Sequence, residues 1–116
     1  MGQFEQMKTS IRLSVKNPNT QDDAGFGYGI AALCAGVREK GSLNAAAKGM
    51  GMAYSKAWRV IRDSEASLGI QLLERDGAHG SVLTPEGAKL LDAYLEIAEH
   101  VSAEAERLFH EKLDQF

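Results

Sequence analysis

The amino-acid sequence predicts a mainly α-helical domain with one small β-hairpin and a long C-terminal helix. Three observations support this fold class. Apolar residues recur every three or four positions in three segments, a turn containing two glycines separates two short apolar runs, and an uninterrupted helical pattern follows Pro85. The 116 residues are 44% hydrophobic and 25% charged, values that are typical of one globular domain and that exclude a disordered chain.

The N-terminal quarter of the chain carries the weakest helical signal. Residues 1–10 show no clear period, and we interpret them as an N-terminal tail. Residues 11–16 alternate apolar and polar side chains, which predicts a half-buried strand. Residues 17–23 contain a proline flanked by Asn and Asp, so we expect a loop there.

Three helices are predicted in the middle of the chain. The first covers residues 27–40, where apolar side chains are spaced by three and four and a glycine follows the last position. The second covers residues 43–50, with Ser42 as a plausible N-cap and Gly51 in the turn after it. The third covers residues 54–68 and ends at another glycine. Three consecutive alanines in the second helix would allow close helix crossing.

A hairpin and a last helix complete the prediction. Residues 72–75 and 81–83 are short strand candidates on either side of the sequence DGAHG. Thr84 then supplies a capping hydroxyl before a proline at the first helical position, a strong start signal for a helix over 85–113. We therefore divide the chain into the tail, a winged helix-turn-helix domain (residues 11–84) and a C-terminal dimerisation helix (residues 85–116).

The last helix carries a heptad pattern. A helix of this length would extend ~42 Å, more than a domain built from the preceding residues can cover. The pattern could still lie against its own domain, but the length favours pairing with a second copy of the chain. The predicted dimer interface consists of Leu91, Tyr94, Ala98, Val101, Ala105 and Leu108.

Charge is distributed unevenly along the chain, whose formal net charge is −3. Residues 36–75 hold seven basic and four acidic side chains, a net charge of +3, whereas residues 76–116 hold three basic and nine acidic side chains, a net charge of −6. A basic middle followed by an acidic end is expected for a small protein that binds a phosphate backbone and assembles through its last helix, although many soluble domains show splits of this size.

The predicted element order is that of a winged helix-turn-helix, in which the helix after the tight turn enters the major groove of double-stranded DNA. The start of the third helix is polar and basic, as a recognition helix requires, although an ordinary solvated face would look similar. His79, in the wing, could contact phosphate or be a simple turn residue. The candidate DNA-binding residues of the helix are Tyr54, Ser55, Lys56, Arg59 and Arg62.

Residues 41–58, GSLNAAAKGMGMAYSKAW, resemble the DNA-binding domain of the molybdate-responsive regulator ModE, with its motifs GSI-x-x-AAK and MSY-(K/R)-(K/S)-AW. Leu83, Thr84 and Gly87 resemble the family's LT-x-x-G. Residues 68–75, LGIQLLER, are similar to LysR-type regulators, which share this architecture. The resemblance spans about residues 11–95. It implies that Tyr54, Ser55, Lys56 and Arg59 face DNA and that Ser42 contacts its backbone.

The sequence departs from the ModE pattern in three ways. Ala53 stands where the family usually has serine, so the recognition helix lacks its usual N-cap. The wing is shorter than the family's glycine-rich loop, which weakens the expectation of a wing contact with DNA. The 116 residues contain no counterpart of the molybdate-binding domain, so we expect no molybdate binding by this chain.

Other side-chain groups give weaker signals. His100 lies one turn from Glu96 and Glu104, a spacing that could hold a metal but that more often forms a solvated surface. No residue set indicates catalysis, so we expect neither an enzyme nor a cofactor. The single cysteine cannot form an internal disulfide, and no apolar run is long enough to span a membrane, which favours a cytoplasmic protein.

These observations predict a transcriptional regulator that binds specific double-stranded DNA sequences as a homodimer. The alternative is a protein-interaction or adaptor module with the same fold, in which the basic helix does not contact DNA. A third hypothesis is an enzyme or a direct oxyanion sensor. Retention on heparin and salt-dependent binding of duplex DNA would separate the first hypothesis from the second, and ligand-dependent stabilisation would reveal the third.

Overall fold

A computed structural model describes residues 2–20 and 24–116 of the chain. Its elements are α1 (Tyr28–Lys40), α2 (Leu43–Gly49), α3 (Tyr54–Leu68), β1 (Leu73–Asp76), β2 (Gly80–Leu83) and α4 (Pro85–Gln115). The predicted fold class, mainly helical with a small β wing and a long last helix, is confirmed. The bounds of α3 match the prediction, and those of the other helices differ from it by at most two residues.

The core lies where α1, α2 and α3 meet the hairpin and the first half of α4. Small residues allow α1 and α2 to approach closely: a Cβ atom on Gly36 would lie only 2.7 Å from Cβ of Ala46. The alanines of α2 therefore pack against α1, and Ala46 and Ala47 are buried. The largest fully buried apolar side chains are Phe26, Leu33, Leu43, Ile61, Leu72, Leu91 and Val37.

Cys34 belongs to this core and is fully buried on α1. Burial, with a smaller contribution from the negative charge of Glu65, raises the pKa of its thiol to about 12. The thiol is therefore neutral at physiological pH, and its place in the core indicates a packing role.

The hairpin and the start of α4 are held together by short contacts. β1 and β2 pair antiparallel with Leu73 opposite Leu83. The bounds of the two strands differ from the predicted bounds by at most one residue. The Thr84 hydroxyl accepts a hydrogen bond from the Gly87 amide at 2.9 Å, which confirms the predicted cap. A Cβ atom on Gly87 would lie 2.4 Å from the Leu72 carbonyl oxygen, so only glycine allows this approach.

The predicted strand over residues 11–16 is wrong. Within the described residues, this segment forms one isolated bridge, between Val15 and Phe26, with N···O distances of 2.9 and 2.8 Å. No longer ladder forms because α1 begins at Tyr28, so the partner segment is too short to continue the pairing. The alternation of apolar and polar side chains instead reflects burial, since Leu13 and Val15 are half-buried and their neighbours are exposed.

The predicted loop over residues 17–23 is described only in part. The side chains of Asn17 and Thr20 fasten its first half to the end of α3, donating to the carbonyl oxygens of Leu68 at 3.1 Å and Ser67 at 2.8 Å. The prediction for residues 21–23 lies outside the described residues. The tail predicted over residues 1–10 contacts α4, because the Thr9 amide and hydroxyl both donate to Glu106 Oε1 at 2.8 Å.

The predicted dimer seam divides into two parts. Leu91 is 0% exposed and Tyr94 is 4% exposed, because both pack in the core of their own chain. The Tyr94 hydroxyl donates to the Leu13 carbonyl oxygen at 2.8 Å, and its ring meets Phe26 edge to face. The prediction that these two residues lie at an interface between chains is therefore wrong.

No helix in the described part of the chain is both long and apolar enough to cross a membrane.

The missing N-cap of α3 offers a stability test. Ala53 has the extended backbone of an N-cap, with φ −64° and ψ 143°, but no side-chain acceptor. In contrast, the Ser42 hydroxyl caps α2 by accepting from the Ala45 amide at 3.0 Å. We expect Ala53→Ser to raise the free energy of unfolding by about 1 kcal/mol, measured by urea denaturation. Ala53→Val is the control, and an equal stability of both variants would contradict capping at this position.

Candidate nucleic-acid interface

The face of α3 that points away from the core is polar, and its side chains do not pack in the core. Ala57 and Ile61 are fully buried on the inward face. With 3.6 residues per turn, Ser55, Arg59 and Arg62 lie on the opposite face, and all three are exposed. The hydrogen-bonding groups on this face are therefore available to an external ligand.

The inward side of α3 is fixed by hydrogen bonds as well as by apolar packing. The buried Ser64 hydroxyl donates to the Gly25 carbonyl oxygen at 2.5 Å, and the Gly25 amide donates to the Ser67 hydroxyl at 3.0 Å. Gly25 has a φ of +62°, a left-handed conformation that brings its amide and carbonyl groups to α3. These contacts orient the helix so that its polar face points outward.

Trp58 organises one edge of the exposed face. Its ring meets the ring of Tyr54 edge to face, with the centroids 6.3 Å apart, and the Arg62 guanidinium lies 5.1 Å from the ring centroid. The arrangement follows from helical spacing, since the three residues are four positions apart. The Arg62 side chain therefore lies over the tryptophan, whereas Arg59 forms neither an ion pair nor a ring contact with the described residues.

A concave groove of about 350 Å³ lies between α3 and the wing. It brings together two sequence-predicted residues from outside α3, Ser42 and His79, with Tyr54 at the start of the helix. The Ser42 hydroxyl accepts from the Ala45 amide and can still donate its own proton to a phosphate oxygen. The polar and aromatic residues that line the groove are Ser42, Asn44, Tyr54, Trp58, Arg75, His79 and Ser81.

Four of these seven groove residues were absent from the sequence-based candidates: Asn44, Trp58, Arg75 and Ser81. Asn44 lies in the first turn of α2, and Arg75 lies on β1 shortly before the wing turn. Arg75 was counted in the basic middle segment, but only the folded hairpin places it in the same groove as Ser42. The signal that could have identified it is a basic residue at the edge of a predicted wing.

Lys56 occupies a different position from the other candidates. It is exposed in the first turn of α3, but it does not line the groove. Helical spacing places it about 160° around the helix from Tyr54, on the side away from the wing. The predicted residues therefore form three groups: the groove (Ser42, Tyr54 and His79), the outward face of α3 (Ser55, Arg59 and Arg62), and Lys56 beyond it.

The wing has a fixed position relative to the helices. The Ser81 amide donates to the Gly41 carbonyl oxygen at 3.0 Å, which ties β2 to the turn between α1 and α2. Gly80 has room only for a hydrogen at its Cα, because a Cβ atom would lie 2.3 Å from the Asp76 carbonyl oxygen. These contacts hold His79 and Arg75 beside the start of α2.

A second candidate surface is an apolar stripe on α4. Ala98 and Ala105 are half-buried, whereas Val101 is 37% and Leu108 is 38% exposed. Ile97 is 48% exposed and lies close to Val101 on the helix surface. The described chain thus leaves an apolar face on the part of α4 that extends past the core.

The possible metal site on α4 has no support in the side-chain geometry. Within residues 2–20 and 24–116, no group of three or more His, Cys, Asp or Glu side chains is placed to hold a metal ion. Glu104 instead forms an ion pair with Arg107, whose hydrogen bond lowers the pKa of the carboxyl group. Glu111 pairs with the same guanidinium, so this surface is a network of solvated charges.

Comparison with known proteins places the chain among helix-turn-helix proteins. The family model of bacterial regulatory helix-turn-helix proteins, lysR family, matches residues 31–88. The crystal structure of the CbnR_DBD-DNA complex is 29% identical in sequence, with a TM-score of 0.60 over 71% of this chain and 93% of that chain. The oxidized form of Corynebacterium glutamicum OxyR is 22% identical, with a TM-score of 0.54 over 79% of this chain and 28% of that chain, a likeness in fold. A search of curated proteins gives no match.

Proposed function

This chain belongs to the LysR family of bacterial regulatory helix-turn-helix proteins, and we propose that it regulates transcription by binding specific double-stranded DNA sequences as a homodimer. The CbnR structure that it resembles is a complex with DNA, which supports this proposal. The comparisons support the LysR-type part of the resemblance at residues 68–75, and they give no support to the ModE-type part or to a molybdenum-related role. The cytoplasmic location stays a prediction.

The observation that carries the proposal is the outward face of α3. Ser55 and Arg59 occupy its centre, exposed and opposite the buried residues of the same helix. An α-helix of this kind fits the major groove of B-form DNA, where an arginine can donate two hydrogen bonds to one guanine. We assign base reading to Arg59 and backbone contacts to the shorter hydroxyl side chains.

The groove beside the wing supports the same orientation. If α3 enters the major groove with its N-terminal end first, Ser42 and Tyr54 lie beside one strand of the duplex, where hydroxyl groups can donate to phosphate. Arg75 adds a positive charge on the same side, and His79 adds a further potential donor. Arg62 lies against Trp58, a position that favours a backbone contact over base reading.

The homodimer part of the proposal is based on the apolar stripe of α4. The stripe continues past the last core contact, and its exposed members Ile97, Val101 and Leu108 follow helical spacing. A second copy of the chain could cover this face about a two-fold axis, which would place two recognition helices on one duplex. Leu91 and Tyr94 then belong to the core, and the interface is formed by residues further along the helix.

Selection of bound sequences from a random pool of duplex DNA tests the proposed function. We expect an enriched motif with two related half-sites, and affinity for it that decreases as the salt concentration rises. The measurement is a mobility shift with the selected duplex and a scrambled one over a salt series. Equal affinity for both duplexes would contradict the proposal that binding is sequence-specific. Binding to neither would favour the adaptor hypothesis instead.

The third hypothesis, an oxyanion sensor, gives a separate prediction. We expect molybdate and tungstate at millimolar concentration to leave the midpoint of thermal unfolding unchanged, because a ligand stabilises a protein only when it binds the folded state. Sulfate at the same ionic strength is the control. A rise in the midpoint with molybdate but not with sulfate would show that this chain senses the oxyanion directly.

A further inference from the structure

The N-terminal arm, residues 2–17, contacts α4 at two separated places. Near the core, the Leu13 carbonyl oxygen accepts a hydrogen bond from the Tyr94 hydroxyl at 2.8 Å. Further along, the Thr9 amide and hydroxyl both donate to Glu106 Oε1 at 2.8 Å. Tyr94 and Glu106 are twelve residues apart, which corresponds to ~18 Å along the helix. The arm therefore runs antiparallel to α4.

The same arm is also fastened to the DNA-binding domain. Val15 and Phe26 exchange two backbone hydrogen bonds just before α1, and the Asn17 amide group donates to the carbonyl oxygen of Leu68 at the end of α3. One continuous segment thus joins the end of the proposed recognition helix, the start of α1 and the far part of α4. The contacts of the arm lie at most four residues apart along the chain, so the short segments between them have little conformational freedom.

The distal half of α4, residues 99–115, has no buried residue, since the last buried side chain of the helix is Tyr94. Its half-buried residues Glu106, Phe109 and Leu113 fall on the side that carries the Thr9 contact, whereas Ala105 borders the apolar stripe. The exposed stripe through Val101 and Leu108 is centred roughly 120° away around the helix. The arm and the proposed dimer contact therefore occupy different faces and can exist together.

The Thr9 contact is well suited to hold the arm in place. Both Thr9 donors meet one oxygen of Glu106, and His110 Nε2 lies 3.0 Å from the other oxygen. The two Thr9 hydrogen bonds are the main cause that lowers the pKa of the Glu106 carboxyl group, so the acceptor is ionised at neutral pH. Hydrogen bonds to an ionised acceptor are stronger than those between neutral groups.

We propose that the N-terminal arm is a specificity determinant: by fixing the direction of α4 relative to the DNA-binding domain, it sets the spacing of the two DNA half-sites that the homodimer recognises. This inference rests on the proposed function. In a dimer joined through the distal half of α4, the separation of the two recognition helices depends on the angle at which α4 leaves each domain. A rotation of about 10° over the ~25 Å of the distal half displaces its end by about 4 Å. That displacement exceeds the ~3.4 Å rise of one base pair.

The test compares Glu106→Ala with Glu104→Ala, a matched control that removes a carboxylate two residues away on α4, where Glu104 contacts Arg107. Duplexes carrying the selected half-sites with spacers changed in steps of one base pair are titrated against each variant. We expect the wild-type protein and the control to prefer one spacing by about tenfold or more over its neighbours. With Glu106→Ala, we expect the preference to fall below about threefold, while the affinity for a single half-site is unchanged.

A second variant that lacks residues 2–10 removes both Thr9 donors and should show the same loss of spacing preference. Sedimentation of each variant establishes that it is still a dimer, and hydrogen exchange of residues 99–115 should be faster when the arm contact is lost. An unchanged spacing preference in both dimeric variants would overturn the inference and leave the proposed function standing. Failure of the wild-type chain to bind any duplex would overturn both.

Discussion

Replacing Arg59 with alanine is expected to weaken binding of the selected duplex by about 1–3 kcal/mol, equivalent to roughly five- to over a hundredfold in Kd, and to relax the base preference at one position of each half-site. The reason is geometric: Arg59 lies at the centre of the exposed face of α3, opposite the buried Ala57 and Ile61. Fluorescence anisotropy with the selected duplex and its single-base variants measures both effects.

Two controls separate base reading from general electrostatics. Arg107→Ala removes the same charge from an exposed arginine on α4, where it pairs with Glu104 and Glu111. It should leave both affinity and base preference nearly unchanged. Arg59→Lys keeps the charge at α3 but cannot donate two parallel hydrogen bonds to guanine, so affinity for all duplexes should recover more than selectivity does. Full recovery of selectivity by lysine would contradict bidentate reading by Arg59.

The second large effect concerns assembly. Glutamate at both Val101 and Leu108 should convert the homodimer into a monomer, because these exposed side chains form the free part of the α4 stripe. Burying an aliphatic side chain contributes about 1.5–3 kcal/mol, and each position occurs twice in a two-fold symmetric interface. Because Val101 and Leu108 are 37% and 38% exposed in the single chain, the double variant loses a part of this contribution at each of four positions, and it gains four buried or repelling charges. Sedimentation velocity over a concentration series measures the change.

Leu95→Glu is the matched control for the assembly experiment. Leu95 is 44% exposed, as accessible as the stripe residues, but it faces roughly 130° away from them around α4. Its substitution should leave the dimer intact. If the variant with glutamate at Val101 and Leu108 is still a dimer, the apolar stripe is not part of the interface. Loss of the dimer with Leu95→Glu alone would move the interface to the other side of the helix.

The individual helices could be predicted because their signals are local. Gly41 and Gly69 both adopt left-handed backbone conformations at the ends of α1 and α3, which few other residues tolerate. The Thr84 hydroxyl caps α4 by accepting a hydrogen bond from the Gly87 amide, three residues further along the chain. The outward face of α3 follows from helical spacing once its apolar residues are assigned to the core. Each of these features depends on residues within one or two turns of each other.

The grouping of residues from different elements could not be predicted in the same way. The groove collects Ser42 from the start of α2, Tyr54 from α3 and Arg75 from β1, and nothing in their sequence separation requires them to meet. The hydrogen bond between Ser81 and Gly41 fixes the wing beside α2. Arg75 was therefore missed as a site residue, whereas the residues of α3 were identified from one segment alone.

The helix bounds to within two residues, the hairpin and the exposed polar face of α3 follow from the sequence alone, because periodicity, caps and turns act over a few neighbouring residues. The three-dimensional packing was needed to show that Leu91 and Tyr94 fill the core, that residues 11–16 form only an isolated bridge among the described residues, and that Thr9 binds Glu106. A heptad pattern is the same whether its apolar side chains pack against their own domain or against another chain. The contacts that distinguish these outcomes are made between residues distant in sequence.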